Sequence, residues 1–164
     1  MSRLEIKKYG HPVLRIKCEE VEKINDEIKE LAKEMLKTMH QEKGIGLAAP
    51  QVGDKRRIIV LDIGQSPLSL VNPKIVEKSK KTSSDYEGCL SLPGVNLKIK
   101  RAKEVEVTGF LLERNQPVRI KAEGLLARDF QHEIDHLNGI LIIDRVSPFK
   151  KLRVIRKLKK RLRG

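Results

Sequence analysis

The chain has 164 residues, 39% hydrophobic and 35% charged, with a net charge of +13. That length and apolar content suit a single domain, 1–164, with a core that needs no disulfide or metal staple. Aromatic residues at 3% and the absence of Trp exclude a single-strand nucleic-acid binder built on base stacking, and no run approaches the ~18 apolar residues of a membrane span.

Residues Met1–Lys8 include an acid, Glu5, and no signal-type apolar region, so a cytoplasmic protein is expected. In a reducing compartment Cys18 and Cys89 are free thiols, open to burial, metal binding or catalysis. Asn25 or Asp26 caps a helix with apolar positions Ile28, Leu31, Ala32, Met35, Leu36 and Met39, a 3.6-residue stripe that belongs in the core. Gly44-Ile45-Gly46-Leu47-Ala48-Ala49-Pro50-Gln51 follows as an uncharged, glycine-rich loop. Strands are predicted at 57–63, 68–75, 95–99, 105–111 and 118–122, separated by Gly, Pro or Asn turns. Gly124 and Asn138-Gly139 bracket a helix over 125–137, and Ile140–Ile143 reads as a short strand. Strands cluster between helices instead of alternating with them, which points to an α+β fold with mostly antiparallel pairing.

Ser147-Pro148 opens a last helix, 148–163, whose Phe149, Leu152, Ile155, Leu158 and Leu162 recur every three or four residues and are expected to dock as one stripe. Residues 148–164 hold nine Lys or Arg and no acid, so most of the net charge is a property of this tail. Its basic face is either simply solvated or a contact for RNA or anionic lipid.

The run His132-Glu133-Ile134-Asp135-His136 carries the most chemistry. On a helix, residues four apart share a face, so both imidazoles reach one metal, while Glu133 reaches a metal-bound water without ligating. The bland alternative is a surface helix with two neighbouring histidines. A catalytic site of this kind needs a third protein ligand. Beyond His136 only Asp144 offers one. Upstream, Cys89 in the turn Glu87-Gly88-Cys89-Leu90-Ser91 offers a thiolate, with His11 and His40 as further candidates; Cys18 reads as an ordinary half-buried thiol.

Three segments together resemble the peptide deformylase family: Gly44–Gln51, Glu87–Ser91 and Gln131–Leu137, in that order and at matching separations. Gly10–Arg15 also resembles the family's opening. The resemblance implies antiparallel strands packed around a central helix bearing the two histidines. It implies one divalent metal, Fe2+ in the cell and replaceable by Ni2+, Co2+ or Zn2+, held by Cys89, His132 and His136. It implies hydrolytic removal of the formyl group from N-formylmethionyl nascent peptides, a metal-bound water attacking the formyl carbon with Glu133 as general base and acid. The Gln51 side-chain amide and the Leu90 N–H are then the oxyanion donors. The glycine-rich loop pairs with substrate as an added strand, and a pocket at Ile45, Gly46, Leu125 and His132 takes the methionine side chain. Glu87 orients a metal-side histidine or the Gln131 amide. The polar pair Arg128-Asp129 departs from relatives that carry an apolar residue there, and it bears on the pocket wall.

Expected partners are formylated nascent peptides and the ribosome through the basic last helix, with no membrane and no sequence-specific nucleic acid. The competing readings are a zinc peptidase with Asp144 as third ligand and a non-catalytic RNA-binding module with a structural metal. Abundant Lys, Glu and Ile with five Asn and five Gln point to a thermophilic bacterium as host.

Overall fold

In the computed structural model, which describes residues 4–163, Asn25 caps helix α1 (Asp26–Gln41): its side chain accepts a hydrogen bond from the Ile28 N–H at 3.0 Å. Met1–Arg3, part of the segment read above for a targeting signal, and Gly164 lie outside the described residues. Ile28, Ala32, Met35 and Met39 of α1 are buried, and Leu31 and Leu36 pack beside them.

Seven strands follow: β1 (Gly46–Ala48), β2 (Ile58–Leu61), β3 (Leu68–Lys78), β4 (Thr82–Cys89), β5 (Leu92–Ala102), β6 (Glu104–Leu111) and β7 (Gln116–Glu123). Five form a sheet in the order β1-β2-β3-β6-β7, and β4 and β5 form a separate hairpin; every pair is antiparallel. All four residues of β2 are fully buried because the sheet is covered on both faces. Ile58 and Val60 pack with α1, whereas Ile59 and Leu61 pack with Ala127, Phe130, Ile134 and Leu137 of helix α2 (Gly124–Leu137). Helix α2 touches strands of both sheets. Among the described residues no helix is long and apolar enough to cross a membrane.

Four local expectations need correction. Strand β4 begins at Thr82, in a polar stretch with no strand signal, and Glu87–Cys89 is its end, not part of a turn. The glycine-rich loop contains β1 and a 3₁₀ turn, Ala49–Val52. Ile140–Ile143 is not a strand; a 3₁₀ turn at Ile142–Arg145 replaces it. In helix α3 (Pro148–Arg163) only part of the stripe docks. Leu158 is buried, with Val154 and Ile155 packed against the cluster of Leu92, Leu97, Ile99 and Leu141–Ile143, while Phe149 and Leu152 are 75% and 61% exposed. The inward face runs through 151, 154, 155 and 158, where Lys151 bonds Asp144 at 2.6 Å, and that rotation turns Phe149 and Leu152 outward.

Candidate active site

Helix α2 is buried on nearly every side, so its polar residues Arg128, Asp129, Gln131, His132, Glu133 and His136 are interior groups. Interior polar groups need partners or a ligand. His132 and His136, one turn apart, have ring centroids 5.1 Å apart. The end of β4 brings Cys89 to them, its Sγ 3.4 Å from His136 Nε2. One ligand atom from each of Cys89, His132 and His136 lies within 4.8 Å of the other two.

Glu87 fixes one of these rings. Its Oε1 lies 2.9 Å from His132 Nδ1, which places the proton on Nδ1 and leaves the Nε2 lone pair for the centre. Both Glu87 oxygens are also held by Arg101, at 2.8 and 2.9 Å, and Arg128 adds a bond of 2.7 Å. Burial pushes the Glu87 carboxyl up, but His132 and Arg101 outweigh it and hold it well below the usual carboxylate range. Arg101 in turn bonds Asp135 at 2.8 Å. Gln131 does not meet Glu87; it bonds the backbone of Ala102 and Ala127.

The donor set fits a divalent ion. Burial, with the charge of Glu133 adding to it, pushes the Cys89 thiol up to about 12, and burial followed by His132 drives His136 well below its ordinary value. A site that disfavours a charged His136 and penalises a bare thiolate is one in which a cation restores the missing counter-charge. One thiolate with two imidazoles suits a borderline transition metal.

Glu133 is 3% exposed, with Oε2 4.0 Å from His132 Nε2, and among the described residues its Oε1 has no hydrogen-bond partner. Burial raises its pKa, and the neighbouring Asp129 raises it further; burial lifts Asp129 itself to about 8. Gly46 explains how the two carboxyls fit. A Cβ there would overlap Asp129 Oδ1 and would stand 2.5 Å from Glu133 Oε2. The glycine therefore lets β1 pass close over the carboxyls. Gln51, 1% exposed, accepts from the Ala48 N–H at 3.0 Å and directs its Nε2 toward Ser91 Oγ and Cys89 Sγ, at 3.2 and 3.5 Å.

These groups border a cleft of about 570 Å³ whose lining includes Ile45, Gly46, Gln51, Cys89, Leu90, Leu125, His132 and Glu133; His136 lies behind it. Asp144 is engaged elsewhere, by Arg15, Lys151 and the Leu141 N–H. His11 caps the Val13 N–H, and His40 pairs with Asp62 at 2.8 Å. Arg128 and Asp129 both line the cleft, and the Arg128 guanidinium bonds Glu87, the Ile99 carbonyl and Ser83. Arg101 was missed by the sequence reading. The signal was available, because Leu97, Ile99 and Arg101 alternate along β5 and so share its inward face.

Residues 3–152 match the family described as Polypeptide deformylase. The chain belongs to this family. It is 50% identical over 142 residues to the peptide deformylase of Dictyoglomus turgidum, spanning 87% of this chain and 92% of that protein. It is 44% identical over 153 residues to that of Thermotoga maritima, with 93% of each covered. The crystal structure of the Thermotoga maritima enzyme superposes with a TM-score of 0.86 at 42% identity, covering 90% of this chain and all of that one. The Ehrlichia chaffeensis enzyme in complex with actinonin superposes with a TM-score of 0.95 at 39% identity, with both chains fully covered. The family is metal-dependent, and this chain is an enzyme of the deformylase kind.

Proposed function

We propose that the chain hydrolyses the formyl amide of N-formylmethionyl nascent peptides, releasing formate, with Cys89, His132 and His136 holding one divalent ion that is ferrous in the cell. The observation that carries this reading is the meeting of three ligand atoms within 4.8 Å, a buried carboxyl and a buried amide donor in one cleft. When bound, the ion acidifies water and polarises the formyl oxygen.

Glu133 takes a proton from the attacking water and passes it to the leaving amine. Its burial suits a group that must hold a proton between the two steps. Negative charge growing on the formyl oxygen meets the Gln51 Nε2–H and the Leu90 N–H. Gln51 is held by its own Oε1, so the donor is aimed before substrate arrives. Strand β1 is the outer strand of its sheet, and the Gly44–Gly46 segment lines the cleft, so an extended peptide adds there as a further strand. The methionine side chain covers Ile45 and Leu125, which are 42% and 51% exposed without it. The basic outward face of α3 brings the enzyme to the ribosome by attraction to RNA phosphate.

Formyl-Met-Ala-Ser is the test substrate, with protein purified without oxygen and its metal content measured. Stoichiometric formate and one divalent ion per chain are expected. Absence of formate from fully loaded protein would overturn the reading.

A further inference from the structure

The two oxyanion donors proposed above come from chain segments 39 residues apart, Gln51 in a 3₁₀ turn and Leu90 in the link between β4 and β5. That link is two residues long, since Cys89 pairs with Leu92 across the hairpin and only Leu90 and Ser91 lie between them. Neither linking residue is a glycine, and neither adopts the left-handed backbone that favours tight hairpins. Both of their carbonyls are held from outside instead. The Tyr9 N–H donates to the Ser91 carbonyl at 2.9 Å, and Lys8 Nζ donates to the Leu90 carbonyl at 3.1 Å. One residue earlier, the Lys7 N–H donates to the Gln51 carbonyl at 2.7 Å. Three consecutive residues thus tie together the two segments that supply the donors. The brace is itself anchored, by Ile6 in the α1 core and by Val13 and Leu14 in the cluster beneath β5.

We propose that Lys7–Tyr9 is a brace for the oxyanion hole and that Lys8 is its positioning residue. The two backbone bonds set the spacing of the segments. The Lys8 bond fixes the Leu90 carbonyl and with it the tilt of the residue whose N–H faces the formyl oxygen. Lys8 is exposed and lines the cleft, so its ammonium contributes little packing and its removal leaves the core intact. The inference rests on the oxyanion assignment of Gln51 and Leu90.

The experiment compares Lys8→Met, Lys8→Arg and Gln51→Ala, all metal-loaded, by steady-state kinetics on formyl-Met-Ala-Ser, thermal melting and amide hydrogen exchange across residues 89–92. A full oxyanion donor is worth about 100- to 1,000-fold in rate, and a mispositioned one less. Lys8→Met is therefore expected to lower kcat ~10-fold, with KM and Tm near wild type and faster exchange at residues 89–92. Lys8→Arg, which keeps a donor, should recover most of the rate. If Gln51→Ala turns over at the wild-type rate, the oxyanion assignment itself fails. If Gln51→Ala loses at least ~100-fold while Lys8→Met keeps its kcat and its exchange rates, only the brace fails. A raised KM at unchanged kcat in Lys8→Met would make Lys8 a substrate contact, and a Tm loss matching the loss of rate would make it merely structural; either overturns the proposal.

Discussion

Glu87 Oε1 stands 2.9 Å from His132 Nδ1, and the same carboxylate accepts from Nε and Nη2 of Arg101. One buried anion thereby orients an imidazole and pairs with two buried guanidiniums, one of which it shares with Asp135. Replacing it leaves Arg128 without a counter-charge and Arg101 with Asp135 alone. Glu87→Gln is expected to weaken metal binding ~10- to 100-fold, as lost outer partners of metal-binding histidines do. It should also destabilise the fold by ~3 kcal/mol, the order seen when one member of a buried ion pair is removed. Competition with a chromogenic chelator reads the first effect and urea unfolding the second. Unchanged affinity would mean that His132 is held by its helix alone.

Glu133→Ala should leave metal content near wild type while turnover falls by orders of magnitude. The side chain sits beside the three ligand atoms, and its Oε2 is 4.0 Å from His132 Nε2, so it borders the centre without being needed to complete it. Metal analysis beside a formate assay separates the roles. Metal lost together with activity would make Glu133 a ligand.

Gly46→Ala tests the backbone path over the carboxyls. A methyl group there collides with Asp129 Oδ1 and Glu133 Oε2, so these carboxyls must shift to admit it. Displacing a catalytic group by about 1 Å costs on the order of 100-fold. A drop of about that size is expected in kcat, with metal content retained. Wild-type turnover would show that the two carboxyls yield without cost.

Much of this was legible in the sequence, and the reasons differ by element. Helix α1 announced itself through Asn25 and the Ile28–Met39 stripe, because burial on one face writes a 3.6-residue period. The two histidines were legible because helical spacing alone puts them on one face. Strand β4 was not, because Thr82, Ser84, Asp85 and Tyr86 are exposed and only its pairing with β5 makes it a strand. Ile140–Ile143 misled because four residues are too few to reveal a period, and a short apolar run fits any buried segment. In α3 the apolar residues outnumber the positions its docking face can use, so the spacing could not say which of them turn inward. The choice among Cys89, Asp144, His11 and His40 as third ligand was a matter of tertiary pairing. Arg15 and Lys151 claim Asp144, Asp62 claims His40, and the Val13 N–H claims His11.

Asp144 is expected to matter for stability and not for metal. Burial pushes its carboxyl up, but Arg15, the Leu141 N–H and Lys151 outweigh it, lowering the pKa from 3.8 to about 2. A depressed folded pKa means that the stabilisation is complete above the unfolded value and fades as pH falls through the folded one. Asp144→Asn should therefore be less stable than wild type by about 1 kcal/mol near neutral pH, the scale of a partly exposed ion pair with a lost cap. The difference should shrink between pH 3.8 and pH 2 and close below that. Denaturation across pH, with metal content and formate release measured at neutral pH, checks it. Loss of metal in this variant would revive the peptidase reading.

The outward face of α3 joins charge to apolar surface. Arg153 lies 5.5 Å over the exposed Phe149 ring, Leu152 is exposed beside them, and the Lys and Arg of the next two turns point to solvent. Lys151 is paired with Asp144, and Arg161 lies against Gly94 at the rim of the cleft, so these two serve the fold. The cations left for a partner include Lys157, Lys159, Lys160 and Arg163. Phosphate neutralised by such a face releases counter-ions, which makes the affinity fall steeply with salt. Reversing these four residues to Glu should abolish co-sedimentation with ribosomes and leave turnover of formyl-Met-Ala-Ser intact, because none of them lines the cleft. A Phe149→Ser, Leu152→Ser variant separates the two contributions: if charge dominates, it keeps the salt dependence and loses only part of the affinity. Ribosome binding unchanged by charge reversal, or indifferent to salt between ~50 and ~200 mM, would reduce α3 to a strut that closes the core over Leu158.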